Sequence, residues 1–206
     1  MGEKTDRRKL RTKRMLRKAL LELIEEKGIE GVTVSDLTER ADVNRGTFYL
    51  HYRDTAELMH QLKEEIFVGL TEKLRFIRPL ELASYSDRDR AYPPAVQTFE
   101  YILEHRDFFR VILGPNGDPA YMLQIKKFMM EHLTALFPRD AGNPAVPPDY
   151  LFAYITSAQL GVLQHWFETG NQLTPAEVAL LITRIVSNGP LKYTQGRETG
   201  HPKQKG

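Results

Sequence analysis

The sequence predicts an all-α fold. Apolar residues recur at intervals of three and four in most segments, which is the spacing of one helix face. Capping patterns precede several of these segments, as at Thr33-Val-Ser-Asp36 and Thr174-Pro-Ala-Glu177, and glycine or proline follows them. Since the sequence shows no internal repeat and no convincing pair of strands, helices alone account for its pattern.

Four helices are predicted in the first third of the chain. The first follows an apolar stripe from Leu16 and ends at Gly28. The second and third are short and are capped by Thr33 and Asn44, and the third extends from Arg45 to about residue 52. The cap and the apolar stripe of the long fourth helix are Asp54, Met59, Leu62, Ile66 and Leu70.

The remaining two thirds are predicted to be a helical bundle. Because Pro79 interrupts the helical pattern, residues 79–93 are interpreted as a polar connector. Asp107 is expected to cap a short helix that ends at Gly114. The other helices are expected at 94–105, 119–137, 149–169 and 175–188.

Basic residues are concentrated at the N-terminal end of the chain. The formal net charge of the 206 residues is only +2. Nine of the first 18 residues are nevertheless basic, against Glu3 and Asp6, so the rest of the chain is slightly acidic. A basic end on an acidic body indicates a polyanion as partner, either nucleic acid or a membrane surface.

Several classes of protein are excluded by composition and motif. The sequence has no cysteine, which rules out disulfides and thiolate chemistry. None of the six histidines lies in a metal-binding spacing, and no nucleophile or phosphate-binding motif is present, so we expect no enzyme, metal or cofactor. The start lacks a secretory signal and no apolar run reaches membrane-spanning length, so a cytoplasmic protein without a membrane partner is expected.

The second and third helices have the arrangement of a helix-turn-helix. Two short helices separated by about four residues are typical of this motif, and its second helix enters the major groove of DNA. Arg45, Gly46 and Thr47 begin that helix; arginine reads guanine, threonine offers a hydroxyl and a methyl group, and glycine permits close approach. Asn44 and Arg45 also stand where helix N–H groups favour a phosphate.

Two stretches of the chain carry a family resemblance. The first comprises the stripe of the first helix, Gly28-Ile-Glu-Gly-Val-Thr33-Val, Leu37, Ala41, Gly46-Thr47-Phe48-Tyr49 and His51-Tyr52. Over residues 8–58 it resembles the DNA-binding domain of the TetR/AcrR family of bacterial transcriptional regulators, and residues 94–188 are similar to one subgroup of that family. The resemblance implies a dimeric, ligand-responsive repressor. We place a DNA-binding domain at 1–53, a ligand-binding and dimerisation domain at 54–190 and a disordered tail at 191–206.

The resemblance also implies which residues contact the operator. The matching positions are Thr33, Ser35, Arg45, Thr47, Tyr49 and His51 or Tyr52. Phe48 is expected to fill the core and Tyr49 to bond a phosphate, whereas His51 and Tyr52 are left open between backbone contact and packing. Thr55 stands where the family usually carries a phosphate-binding lysine, and Arg53 or a flexible basic N-terminal arm could compensate.

A homodimer through residues 149–188 is predicted. The final helix has almost no polar face, and one small domain can hardly cover it on every side. Its apolar residues are Val178, Ala179, Leu180, Leu181, Ile182, Ile185 and Val186. Ala158 and Gly161 on the preceding helix would let a partner approach closely.

If the resemblance holds, an effector pocket lies inside the C-terminal bundle. The candidate lining residues are Phe67, Phe99, Tyr121, Phe128, His132 and Tyr154. Aromatic walls with few polar groups suit a small, mostly apolar or aromatic molecule. The fourth helix, which belongs to both domains, would couple the ligand to the DNA.

Two alternatives are left open. Residues 7–24 could form a basic amphipathic helix that binds a membrane surface, although Thr33 to Tyr52 would then have no role. The closer alternative is a coregulator of the same fold that acts through protein contacts and binds little DNA by itself.

Overall fold

The computed structural model describes residues 2–136 and 146–189, and helices without any strand fill these two ranges. The predicted all-α class is therefore confirmed. The helices are α1 (Gly2–Lys27), α2 (Val34–Arg40), α3 (Arg45–Tyr49), α4 (Thr55–Leu74), α5 (Pro79–Asp87), α6 (Pro93–Glu104), α7 (Arg106–Leu113), α8 (Pro119–Leu136), α9 (Pro148–Glu168) and α10 (Pro175–Asn188). The tail predicted to be disordered lies outside the described residues.

Most helices begin where the capping patterns predict. Thr33 Oγ1 accepts the N–H of Asp36 at 3.2 Å, and the Asp36 carboxylate accepts the N–H of Thr33 at 2.9 Å. The same reciprocal pair closes the start of α10. The prediction for Asp107 is wrong, because that residue lies in the first turn of α7 and His105 occupies the N-cap position.

α1 is longer than the apolar stripe predicts. The helix starts at Gly2 and not near Leu16, so the basic residues at the N-terminal end of the chain are part of α1. Lysine, arginine and leucine favour the helix, and neither glycine nor proline interrupts residues 3–27. The prediction of a flexible arm is therefore wrong.

α5 replaces most of the predicted connector. Pro79 takes the first helical position, where its missing N–H costs nothing, so it starts a helix. Leu82 of α5 is buried, and the helix packs against α10. The prediction that 79–93 is a polar connector is wrong for the nine residues of α5.

α4 belongs to both parts of the molecule. It packs against α1 in the N-terminal part and against α6 and α8 in the bundle. In the bundle, α6 also packs on α10, and α8 packs on α9. The buried residues of α4 are Leu58, Met59, Leu62, Ile66, Leu70, Thr71 and Leu74. This helix therefore joins α1, α2 and α3 to the bundle.

Candidate nucleic-acid interface and bundle interior

α2 and α3 form the predicted helix-turn-helix pair. Four residues separate the two helices, and Asp42 in this turn adopts a φ of +50°. The Val43 N–H donates to the Thr38 carbonyl at 2.9 Å, which ties the turn back to α2. The orientation of α3 relative to α2 is fixed by these contacts.

α3 has one buried and one exposed side. Phe48 is fully buried, as expected, and anchors the helix in the core. Arg45 and Gly46 are exposed, Thr47 is half-buried, and Tyr49 is 55% exposed. The structure thus brings the three residues that we expect to read bases together on one accessible turn.

The N-terminus of α3 is capped by the chain itself. The Asn44 side-chain oxygen accepts the Gly46 N–H at 2.8 Å. A Cβ at Gly46 would lie 3.3 Å from that oxygen, so glycine leaves room for the cap. The Gly46 N–H is therefore bonded within the protein, while Arg45 and Tyr49 remain exposed on α3.

The start of α2 presents two hydroxyl residues. Thr33 and Ser35 are both exposed, but the Thr33 hydroxyl also donates to Asp36 Oδ2 at 2.7 Å within the cap. The Lys27 ammonium pairs with the same carboxylate. Lys27 and Thr33 together hold the pKa of Asp36 well below its ordinary value. The charged cap thus ties the start of α2 to the end of α1.

The structure resolves the open question about Tyr52 in favour of packing. Its ring lies against Phe48, with centroids 5.9 Å apart, and only 2% of the residue is exposed. Burial raises the pKa of its hydroxyl, beside which the Arg17 guanidinium lies. Because Arg17 also forms a paired hydrogen bond with Glu65 of α4, Tyr52 supports the junction of the domains. Its assignment to the DNA-binding set is wrong.

His51 lies just beyond the end of α3. It is half-buried, two residues after Tyr49. Burial lowers the pKa of His51, and the nearby Lys13 and Lys9 lower it further. These two lysines, which the motif analysis does not single out, therefore lie on the same side of the molecule as the end of α3.

Thr55 occupies the first turn of α4 and is half-buried. The neighbouring Asp54 caps the helix by accepting the Glu57 N–H at 2.7 Å. Arg53 is exposed, and its Nε donates to Asp54 at 3.2 Å. The cation nearest to Thr55 in sequence is therefore partly neutralised by the cap.

The turn between α7 and α8 contacts two helices, α1 and α4. Asn116 Nδ2 donates to the Glu25 carbonyl at the end of α1 (3.2 Å), and Arg110 Nε lies 3.3 Å from the Glu25 carboxylate. At the other end of the turn, Asp118 accepts from Lys63 Nζ of α4 at 2.7 Å. One short segment thus contacts both α1 and α4.

The proposed lining residues of the effector pocket largely pack on one another. The ring of Phe67 lies 6.2 Å from those of Tyr121 and Phe128, edge to face in both cases. The Tyr121 hydroxyl donates to the Lys63 carbonyl at 3.2 Å. His132 stacks on Phe128 at 6.3 Å. This arrangement has the character of a core.

Two other candidates lie elsewhere. Phe99 packs edge to face on Trp166, with centroids 5.6 Å apart. Tyr154 is 55% exposed on α9, so its assignment to the wall of an internal pocket is wrong. Cavities of about 290 and 540 Å³ flank the turn at Gly114 and Pro115, next to α9, and none of the six candidates lines either of them.

Within residues 2–136 and 146–189, no cluster of histidine and carboxylate side chains has the makings of a metal site. No helix in these same ranges combines the length and apolar character needed to cross a bilayer.

Two family descriptions match this chain, and they fall on its two parts. "Bacterial regulatory proteins, tetR family" matches residues 16–62, and "Transcriptional regulator C-terminal region" matches residues 89–188. The uncharacterized HTH-type transcriptional regulator YxbF of Bacillus subtilis (strain 168) is 21% identical over 192 residues. The match covers 92% of this chain and 48% of YxbF, so the chain spans about half the length of that curated relative.

Solved structures share the same fold. A TetR transcriptional regulator from Streptococcus agalactiae 2603V is 21% identical with a TM-score of 0.59, over 90% of this chain and 99% of that chain. NalD, the secondary repressor of the MexAB-OprM multidrug efflux pump in Pseudomonas aeruginosa, is 19% identical with a TM-score of 0.62, over 88% and 97% of the two chains. With the family matches on both its helix-turn-helix and its bundle, the chain belongs to the TetR family of bacterial transcriptional regulators.

Proposed function

We propose that this regulator is a repressor that binds a near-palindromic operator as a homodimer and is released by a small molecule. The accessible first turn of α3 carries the proposal, because Arg45 projects from a helix that Phe48 and the Asn44 cap hold in place. An exposed arginine at this position suits bidentate contact with a guanine edge.

The proposed contacts divide into two kinds. Arg45, Gly46 and Thr47 meet base edges, and the remaining residues bind the sugar-phosphate backbone. The proposed backbone contacts are Thr33, Ser35, Asn44, Tyr49, His51 and Thr55. In this division the domain at 1–53 reads the operator, while residues 54–190 sense the ligand and form the dimer.

The proposed dimer surface is the outer face of α9 together with α10. α9 exposes Tyr150 and Tyr154, which are 71% and 55% accessible, beside the small residues Ala158 and Gly161. α5 and α6 cover one side of α10, including Val178, and its other side is partly accessible. Exposed aromatics beside small residues favour a close helix pair between two copies.

The proposed effector is small and mostly apolar or aromatic. A ligand in the bundle has to separate the packed rings of Phe67, Tyr121 and Phe128, which line α4 and α8. Entry there would displace α4, the helix that carries the DNA-binding domain. For release, the ligand must bind the DNA-incompetent state more tightly than the DNA-bound state.

Selection of genomic and randomised duplexes with the purified protein tests the proposal. We expect a palindromic sequence whose half-sites lie about 34–36 Å apart or a multiple of that. Arg45→Ala is expected to weaken the selected site by about 1–3 kcal/mol and to relax its sequence, whereas Tyr49→Phe weakens all duplexes equally. Arg88→Ala, on the exposed surface of the bundle, is the matched control. Failure to select any sequence would refute operator binding and favour the coregulator.

A further inference from the structure

We propose that the helical extension of α1 is a second DNA-binding element, in which Lys9 and Lys13 bind backbone phosphates that flank the half-site contacted by α3. The inference rests on the proposed operator binding and extends its contact surface. The partner is duplex DNA beyond the base pairs that the recognition helix reads.

The register of α1 places these lysines on the side of the DNA-binding core. Leu16 and Leu20 are buried and define the inward stripe of α1, the helix that packs against α2, α4 and α7. Lys13 precedes Leu16 by three residues and Lys9 precedes it by seven, so both continue this stripe. The inward positions of α1 are thus leucine where the helix packs on the core and lysine where it extends beyond the core.

The extension reaches well past the packed part of α1. At 1.5 Å per residue, Lys9 lies about 10 Å further along the axis than Leu16. Because residues from Gly2 onward are helical, the distance is set by a rigid element. A lysine side chain spans the remaining gap to a phosphate more readily from a fixed helix than from a disordered arm, since less conformational entropy is lost.

The two lysines adjoin the surface already assigned to DNA. Burial lowers the pKa of His51, and the charges of Lys13 and Lys9 lower it further, which places both lysines near a residue two positions after the exposed Tyr49. Lys9 is exposed and Lys13 is half-buried. Two like charges four residues apart on a helix repel each other, and phosphates between or beside them would relieve that repulsion. Lys9 and Lys13 therefore extend the proposed interface along α1.

The opposite face of α1 supplies a matched control. Arg11 and Lys18 are exposed and lie roughly 140–180° around the helix from Lys9 and Lys13, by the ~100° that each residue turns. Replacing Arg11 and Lys18 by glutamine removes the same charge as replacing Lys9 and Lys13. Only the replacement of Lys9 and Lys13 affects the side of α1 that faces the end of α3.

The test uses a selected operator embedded in a longer duplex, with hydroxyl-radical footprinting and affinity measured against salt. For the dimer, K9Q/K13Q is expected to remove protection at both outer edges of the footprint. It should also reduce the slope of log affinity against log salt by about 3–4, from ~0.9 for each of four lost contacts. R11Q/K18Q is expected to keep the footprint and to change the slope by less than about 1.

The outcomes separate this inference from the proposed function. Equal slope losses in the two variants, or an unchanged footprint for K9Q/K13Q, would overturn the second contact while operator binding stands. If the unaltered protein selects no operator, both proposals fail. Far-UV circular dichroism of each variant establishes that a loss of binding does not arise from unfolding.

Discussion

Replacing Gly69 of α4 by alanine tests how closely α4 and α6 pack. The Tyr101 hydroxyl of α6 donates to the Ile66 carbonyl of α4 at 3.2 Å, directly over Gly69. A Cβ on Gly69 would lie 2.2 Å from that hydroxyl oxygen and 2.6 Å from the ring carbon that bears it. Since real side chains do not approach so closely, Tyr101 has to move.

The sign of the effect follows from three contributions. Alanine is better than glycine in a helix interior by about 1 kcal/mol. Overpacking costs about 1–3 kcal/mol, and loss of the Tyr101 hydrogen bond costs about 1 kcal/mol more. We therefore expect Gly69→Ala to lower the free energy of unfolding by about 1–3 kcal/mol. In a Tyr101→Ala background the clash is absent. There, Gly69→Ala should raise the free energy of unfolding by about 1 kcal/mol.

Urea unfolding of the four proteins in this cycle, followed by circular dichroism at one protein concentration, measures both effects. The expected coupling between positions 69 and 101 is about 2–4 kcal/mol. If Gly69→Ala stabilises the protein in both backgrounds, α6 does not lie against α4 as described. If it destabilises both equally, the cost lies in α4 itself and not in Tyr101.

Two further changes test the cap of α2 and the dimer surface. The lowered pKa of Asp36 means that its carboxylate stabilises the fold fully above the ordinary aspartate pKa of about 4, and that this contribution is lost as the pH falls towards the folded value. Between pH 7 and pH 3 the unaltered protein should thus lose more stability to urea than Asp36→Asn, and equal losses would contradict the cap. Tyr154→Glu changes an exposed residue of α9 and is expected to give folded monomers with weakened operator binding in sedimentation and shift assays. A folded monomer of the unaltered protein at micromolar concentration would exclude the dimer.

Local signals in the sequence predicted most helix starts correctly. The caps at Thr33, Asn44 and Asp54 depend on residues within three positions of each other, so no knowledge of tertiary contacts is needed to recognise them. α5 was missed because Pro79 both ends one helix and begins another, and a sequence pattern does not distinguish these roles. The sequence does not predict the length of α1, because residues 7–14 are basic apart from Leu10 and Thr12 and form no apolar stripe.

The candidate site residues also divide into those that local sequence predicts and those that depend on tertiary contacts. Phe48 was assigned correctly to the core from its position in the helix-turn-helix. The sequence does not decide whether Tyr52 packs or contacts the DNA backbone. Its burial depends on α1 and α4 coming together around Arg17 and Glu65, which are 48 residues apart. The position of Tyr154 depends likewise on which side of α9 meets α8, and a helical pattern with aromatics on several sides does not fix that.

The turn between α7 and α8 has a consequence for how this regulator can be tuned. Asn116 contacts α1 and Asp118 contacts α4, so a displacement of the turn shifts both helices together. We expect α1 to α4 then to move together, without bending between α1 and α4. At Gly117 a Cβ would lie 2.0 Å from the Ile112 carbonyl oxygen, so any larger residue there has to move the turn. We therefore expect substitutions in this segment to change the tilt of α3 while every residue of the proposed DNA interface stays the same.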